Sequence, residues 1–524
     1  MSALTRRSFV TESAAVAAGI AAAGTCALGS VPAPGTSSAL ADEAAVSPSQ
    51  AAEAFFAAPD PITDIAATED YDIVVVGAGM SGVCCALKAA QDGASVCVLQ
   101  KTSTALTNGH AVAAPNVPSV LAEGIAETDM EALKAEHINQ NMNNVNHRLL
   151  NTYFAETVEA ITWLDETTIA LGVGCEKHAN GADPCLLWAP THVVTPIIAM
   201  AEEAERLGAV FHYETPAVRL VQAEDGSITG VVAQAADGSY IQANASKGVV
   251  LACGDYGNNP ELVAMWCPMA GYFKNFYQPA VNTGDGFMMA KWVGAAISPY
   301  SHTKMAHNHH YIGDGDVSAS MRKTPWMNVD GNGVRCMNEA IKYEWRCNAV
   351  ANRPENISTQ VFDSSYNEDL VAMGESEIPV EKLESYMDQL EDSVFKADTI
   401  EELGEQLGVD PQVFAEQVAR YNELAAQGHD DDFGKDAKYL YPIDTPPFYA
   451  IKRRYFISAI MGGLEVDEAS CVLDEQGQRI EGLYAAGNMQ GGLFGATDYS
   501  FAVNGMSLGR AAVFGYYLGR ELSK

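Results

Sequence analysis

Basic side chains are scarce in this chain: 31 Lys and Arg stand against 67 Asp and Glu in 524 residues, a formal net charge of −36. That balance excludes nucleic acid and anionic membrane surfaces as partners, because both would repel it. Cysteines at metal-ligand spacing are also missing. None of the 11 cysteines falls in a CxxC or CxxCH pattern, so no haem-attachment, zinc or iron–sulfur framework is expected, and no metal. Long apolar runs are absent too: beyond residue 41 nothing approaches the roughly 18 apolar residues that a membrane span requires.

The N-terminus reads as an address. Thr5-Arg6-Arg7-Ser8-Phe9-Val10 is a twin-arginine signature, followed by an Ala/Gly-rich stretch at 14–29 and an A-x-A cleavage pattern at Ala39-Leu40-Ala41. Residues 1–41 are therefore expected to be a signal peptide and 42–68 an Ala/Pro/Ser linker. The expected location is outside the cytoplasm, on the periplasmic or cell-surface side of the membrane. Twin-arginine export suits a protein that folds around a cofactor before it crosses. Cys84 and Cys85 read as small packing residues.

The richest segment is 71–101, YDIVVVGAGMSGVCCALKAAQDGASVCVLQK. A short apolar strand runs into Gly77-x-Gly79-x-x-Gly82, an Ala-rich helix follows, and a second apolar strand ends before Gln100. The first glycine permits a tight turn and the second lets a pyrophosphate approach the backbone. The third lets helix pack on strand, with the helix N-terminus facing the phosphates. A dinucleotide is the expected ligand. Gln100 stands where an acidic residue usually binds the ribose hydroxyls; it can hydrogen-bond but carries no charge. No second GxGxxG follows for a nicotinamide.

Three further segments, 247–257 (KGVVLACGDYG), 282–286 (NTGDG) and 482–488 (GLYAAGN), read as more of one nucleotide-binding sheet split by an insertion. The expected organisation is a first part at 69–297, an inserted domain at 298–445 and a second part at 446–524. Together with GNGVRCMNE and FYAIKRRYFISAIMGGLEVD, these motifs resemble the flavoproteins that include soluble fumarate reductases, urocanate reductases and 3-ketosteroid dehydrogenases. The resemblance covers nearly everything after residue 70. It implies an α/β fold with a Rossmann-like FAD-binding domain, an inserted α+β capping domain, and an active site between them at the flavin. Carried over position by position, it marks Gly77, Gly79, Ser81, Gly82, Gln100, Lys101, Asn108, His110, Val218, Asp255, Asn488, Ser507 and Leu508 as FAD contacts. His110 also resembles the position where succinate dehydrogenases attach FAD covalently. A noncovalent contact and a neutral core histidine stay open beside that reading. Residues 225–230 superficially resemble an FMN-attachment site but read as a hairpin turn.

Where the family binds a dicarboxylate, this chain departs from it. The paired histidines before Met461-Gly462-Gly463 are replaced by Ser458 and Ala459, and the asparagine–arginine after Ala496 by Thr497-Asp498-Tyr499-Ser500-Phe501. The proton-donor arginine falls on Tyr343. Without that cationic fork a small dicarboxylate cannot be clamped bidentately. The expected substrate is a small unsaturated carbonyl compound, neutral or apolar, whose C=C accepts a flavin hydride and a side-chain proton. Tyr343 is the first choice for the acid, and Tyr499 contacts the carbonyl. His307 is preferred over His302 as the substrate histidine, and Arg346 is a further candidate. The dense group His302, His307, His309 and His310 could alternatively ligate a metal or be a plain loop. Electrons are expected from a separate partner, such as a membrane-associated cytochrome or flavoprotein. A 3-ketosteroid-type dehydrogenase running oxidatively, or a flavin electron carrier without its own substrate, remain alternatives.

Overall fold

The computed structural model describes residues 54–180, 183–188, 194–275, 280–309, 321, 323–389 and 393–524; the proposed leader, most of the linker and His310 lie outside them. The fold is mixed α/β, built on two main sheets. In the larger sheet the strands run in the order Cys471–Leu473, Arg479–Ala485, Tyr240–Leu251, Ile65–Val76, Val96–Leu99 and Val210–His212. The antiparallel pair Ala217–Gln222 and Ile228–Gln234 branches from Tyr240–Leu251. Its connection at residues 223–227 is closed by hydrogen bonds between Ala223 N and Ser227 O and between Ser227 N and Asp225 Oδ1, a hairpin turn.

The four parallel strands at the centre are short, continuous apolar runs because helices cover both faces. Ile73, Val74, Val75 and Val76 are buried, as are Val249, Val250 and Leu251. Met80–Gln91, with Val83, Cys84, Ala86 and Leu87 fully buried, lies against the strands Ile65–Val76 and Val96–Leu99 and against the C-terminal helix Met506–Ser523. Cys84 and Cys85 are indeed packing residues with no exposure.

The first strand begins at Ile65, so residues 65–68, read as linker, belong to the sheet and pair with Tyr240–Gln242. Largely exposed, and separated from the apolar run at Ile73–Val76 by Glu69-Asp70-Tyr71-Asp72, they do not read as part of one strand.

The second sheet is organised by one long strand, Phe448–Met461. Lys274–Asn275, Thr303–His309, Ile357–Phe362 and Val394–Ala397 all pair with it, and Met327–Val329 adds outside Ile357–Phe362. Its first residues alternate between two small cores. Tyr449 and Ile451 join Trp326, Phe362 and Tyr366, whereas Phe448 and Ala450 join Leu403, Phe414 and Val418. Its last residues, Ile457, Ile460 and Met461, enter the main core. The inserted region's sheet is thus built on a strand that follows the boundary drawn at 445. Chain order placed that strand in the flavin-binding part; strand pairing places it in both.

Candidate active site

The parallel strands end level. Val76 lies opposite Leu99 and Leu251, and Leu251 opposite Ala485. The turns that start at Gly77, Gln100, Ala252 and Ala486 therefore leave one edge of the sheet, the carboxyl edge where open α/β sheets bind ligands. The three glycines there do different things. Gly77 has φ 102°, and a Cβ on it would stand 2.6 Å from Ala252 O. A Cβ on Gly82 would stand 1.9 Å from Gly77 O, so this glycine serves helix–strand packing. On Gly79 it would make only ordinary van der Waals contact, with Leu106 O at 3.6 Å and Ala252 O at 4.0 Å, so packing within the protein does not require glycine there. Ser81 is buried in the helix's first turn, against Gly487.

Both helices that open at this edge lack side-chain caps and first-turn acids: Met80–Gln91 after Gly79, and Met506–Ser523 after Gly505. The surface helices Met130–Gln140, His147–Ala170 and Pro411–Gln427 are instead capped by Asp129, Asn146 and Asp410. Unsatisfied helix-start N–H groups attract anions. At the second helix Ser507 N donates to the Tyr499 hydroxyl at 2.9 Å.

Gln100 is tied inward. Its Oε1 accepts from Ala78 N at 3.2 Å, and its Nε2 donates to Thr102 Oγ1 at 2.6 Å and to Thr104 O at 3.1 Å. It shapes the turn instead of presenting a charge. Lys101 pairs with Asp285 at 2.9 Å and donates to Thr283, joining the first nucleotide turn to the distant NTGDG turn. Asn108 accepts from Gly109 N, and Leu508 packs where a Gly109 side chain would fall. His110 is exposed, so it is no core histidine, and its carbonyl accepts from Trp188 N. Val218 is half-buried on Ala217–Gln222.

Asp255 is a buried hub. Its carboxylate accepts from Gly257 N at 2.9 Å, Ile460 N at 3.1 Å and Asn488 Nδ2 at 3.1 Å. Asn488 Oδ1 in turn accepts from Arg510 Nη2 at 2.6 Å. Segments up to 255 residues apart in sequence (Asp255 to Arg510) meet in this chain of contacts. Burial raises the Asp255 carboxyl.

On the other side, Arg335 of GNGVRCMNE is held by two buried carboxylates, Glu339 at 2.9 Å and Asp430 at 2.8 Å. Lys435 completes the network at 3.4 Å from Glu339, its own ammonium lowered to about 8 by burial. Pairing this full offsets much of the cost of burying these charges, and the network fixes the chain that leads into the turn Tyr343–Trp345. Tyr343 is 7% exposed and lies close enough to Arg346 and Tyr455 to interact with them electrostatically. Arg346 is buried; its Nη2 donates to Lys323 O at 2.9 Å.

The turn meets the 497–501 loop directly. Trp345 Nε1 donates to Ser500 Oγ at 3.1 Å. Beside it, Asp498 pairs with Lys304 and accepts from Asn348 Nδ2, while Lys304 Nζ donates to Asn348 Oδ1 at 3.0 Å. Cys347 Sγ lies 3.4 Å from the same carboxylate. Lys304 is wholly buried. The tertiary structure thus brings the turn that carries Tyr343 and Arg346 against the loop that carries Tyr499, whose own hydroxyl meets Ser507 N. His302 does not join this junction: it is buried among Tyr256, Trp266 and Phe287, bonded to the Tyr256 hydroxyl and lowered to about 4 by burial. Thr303–His309 is a strand, and the backbone of His307 pairs opposite Phe456; its ring lies outside the described atoms.

A family described as "FAD binding domain" matches residues 72–500. The chain belongs to that family. It is similar to the vinyl phenol reductase of Lactiplantibacillus plantarum, with 28% identity over 498 residues, 88% of this chain and 98% of that protein. Among solved structures it is similar to an open flavocytochrome c3 fumarate reductase, with a TM-score of 0.68, 24% identity, and coverage of 87% of this chain and 79% of that one. A 3-ketosteroid-Δ4-(5α)-dehydrogenase from Rhodococcus jostii matches with a TM-score of 0.67 and 22% identity over 88% of this chain and 98% of that one. These two likenesses show the fold.

The protein is an FAD-dependent oxidoreductase, and the cradle fits the cofactor. A glycine at 79 that packing within the protein does not demand, and the uncapped helix start, suit a pyrophosphate; Asn488 and Ser507 stand along the same edge. Sequence reasoning missed Lys304, which lies two residues from His302 and three from the favoured His307 in a histidine-rich stretch. Its signal was an acidic residue, Asp498, at a position where the family has a basic one.

Proposed function

We infer that this flavoprotein reduces an activated C=C bond in a substrate with a flat apolar body and at most one anionic group. The observation that carries the reading is the junction itself: a buried tyrosine, Tyr343, beside a single buried guanidinium, Arg346, next to a loop whose acid already neutralises the neighbouring lysine. Asp498 is paired to Lys304 and Arg454 is held by Glu355 at 3.0 Å on the surface, so Arg346, buried beside Tyr343, is our choice of cation to meet a carbonyl or carboxylate oxygen. One cation suits an enone or enoate and does not suit fumarate.

Bound FAD, once reduced, supplies the hydride to the β-carbon. Tyr343 then protonates the α-carbon; an unperturbed phenol has a pKa of about 10 and is protonated at neutral pH. Hydride plus proton account for the two electrons and two hydrogens added. Burial raises the Tyr499 phenol, keeping it protonated as a donor toward the carbonyl. The half-exposed Trp345 ring, held by Ser500, and Phe501, 4.8 Å from Tyr499, offer faces for the apolar body. Electrons come from a separate cytochrome or flavoprotein, and the twin-arginine leader directs the enzyme outside the cytoplasm. No helix among the described residues is long and apolar enough to cross a membrane. The likeness to vinyl phenol reductase favours, as a second reading, an alkene conjugated to an arene instead of a carbonyl.

Purified holoenzyme, chemically reduced, should be reoxidised by enones, cinnamates or vinyl phenols and only negligibly by fumarate; fumarate as the fastest acceptor would overturn the reading. Tyr343→Phe should retain FAD while turnover falls by about 10²–10⁴-fold, the usual range for a general acid. Near wild-type turnover in that variant would move the acid elsewhere, with Arg346→Met as the next test.

A further inference from the structure

Arg510 is out of place by ordinary rules. It lies on the C-terminal helix, one turn beyond Ser507, and is 1% exposed. Its guanidinium is held by neutral oxygens, Gln490 O at 2.9 Å and Asn488 Oδ1 at 2.6 Å, and by the face of Phe494, 5.3 Å away. Its Nε has no hydrogen-bond partner among the described residues, and no described carboxylate pairs with it. Burial lowers it only to about 10, so it is charged at neutral pH. The titratable groups that face it are the Tyr499 and Tyr153 phenols and the Asp255 carboxyl, the last one residue removed through Asn488. Burial raises all three, which favours their neutral forms. A buried cation without a counter-ion costs several kcal/mol, and among the described residues no carboxylate pairs with this one to offset that cost.

Its position says what does. Helical side chains lean toward the helix N-terminus, which carries the guanidinium back over the turn that holds Ser507. Asn488, which bonds it, and Ser507, three residues before it on the same helix, are both expected to touch the cofactor. We propose that Arg510 is an electrostatic positioning residue for the flavin, a cation that favours the negatively charged reduced cofactor and so raises its reduction potential. Two electrons and one proton give the anionic reduced form; a second proton would neutralise it. A fixed cation, added to the uncapped helix start, holds back that second proton. This inference rests on FAD occupancy, not on which substrate is reduced.

The test is an equilibrium reductive titration of the holoenzyme against indicator dyes from pH 6 to 9, which needs no substrate. Wild type should take up one proton per two electrons around neutral pH. Arg510→Gln should lower the reduced-to-oxidised ratio at fixed potential by about tenfold, about 30 mV for a two-electron couple, and raise the uptake to two protons. Arg510→Lys, which keeps the charge, should stay near wild type in both. Uptake of two protons by wild type overturns the proposal whatever the variants do, and so does an Arg510→Gln enzyme with unchanged potential and proton count. Should Arg510→Gln not retain FAD, the proton counts of wild type and Arg510→Lys decide.

Discussion

Replacing Asp498 by alanine isolates the contact that joins the insertion to the flavin-binding part. In the native protein its carboxylate meets Lys304 and Asn348, with Cys347 at 3.4 Å. Lys304 has no exposure, and Asp498 is 6% exposed, so water screens little of their attraction. Removing one partner of a buried pair costs about 3–5 kcal/mol, because the other charge is left desolvated. Asn348 Oδ1 still accepts from the ammonium at 3.0 Å, which places the expected loss at the lower end, about 3 kcal/mol. Against a typical total of about 5–15 kcal/mol, that is a large fraction. Replacing both partners, Lys304→Met with Asp498→Leu, should recover most of it, since a well-packed apolar pair is often neutral relative to an ion pair. Urea unfolding of wild type, both single variants and the double variant closes the cycle and yields the coupling directly. The double variant should still turn over slowly, because the loop that carries Tyr499 and Ser500 loses its polar anchor to Cys347 and Asn348. A loss below about 1 kcal/mol for Asp498→Ala would refute the reasoning, since the pair would then behave as a solvated surface contact.

Gly79→Ala should fold normally yet bind FAD more weakly by on the order of tenfold, or 1.4 kcal/mol, whereas Gly82→Ala should lose stability first, its Cβ falling 1.9 Å from Gly77 O. Flavin absorbance and thermal melts separate the two, and equal behaviour would contradict the assigned roles. Acid should weaken the fold through two buried imidazoles, His137 and His302, both lowered to about 4 by burial. A base with a depressed folded-state pKa is protonated more readily when unfolded, so stability is full above about pH 6.5 and falls as pH drops toward 4, by on the order of 3 kcal/mol per histidine. Urea midpoints that stay flat across that window would argue against it. Trp345→Ala should raise KM for aryl substrates and leave KM for a short enoate and the retention of FAD nearly unchanged; a uniform rise across substrates would show that the indole only braces Ser500.

Local order along the chain was enough for the cofactor half. A strand, a glycine turn and a helix are consecutive in 71–101, and each glycine's task follows from geometry that a few residues settle among themselves. The expectation of an FAD fold rests on that segment and on motifs whose spacing survives in one dimension. Exposed strand residues such as those at 65–68 were invisible, because backbone pairing with Tyr240–Gln242 buries no continuous apolar run. The boundary at 445 was read from a composition change that marks a loop, whereas Phe448–Met461, which follows it, serves three cores along one strand.

The sequence by itself determined that this is an FAD-binding α/β chain, that its cofactor edge needs glycine where backbone approaches backbone, and that the dicarboxylate fork is missing. Those facts depend on residue identity and short spacing. Only the tertiary structure decided which charges remain available. Lys304 and Asp498 are 194 residues apart, as are no partners that periodicity could suggest, and their pairing cancels a cation at the junction. Arg510 reads in sequence as a polar residue on an amphipathic helix, yet it is buried without a carboxylate because Asn488 and Gln490 arrive from another strand's end. Coulomb energy depends on distance and burial, and neither quantity is written in the order of residues.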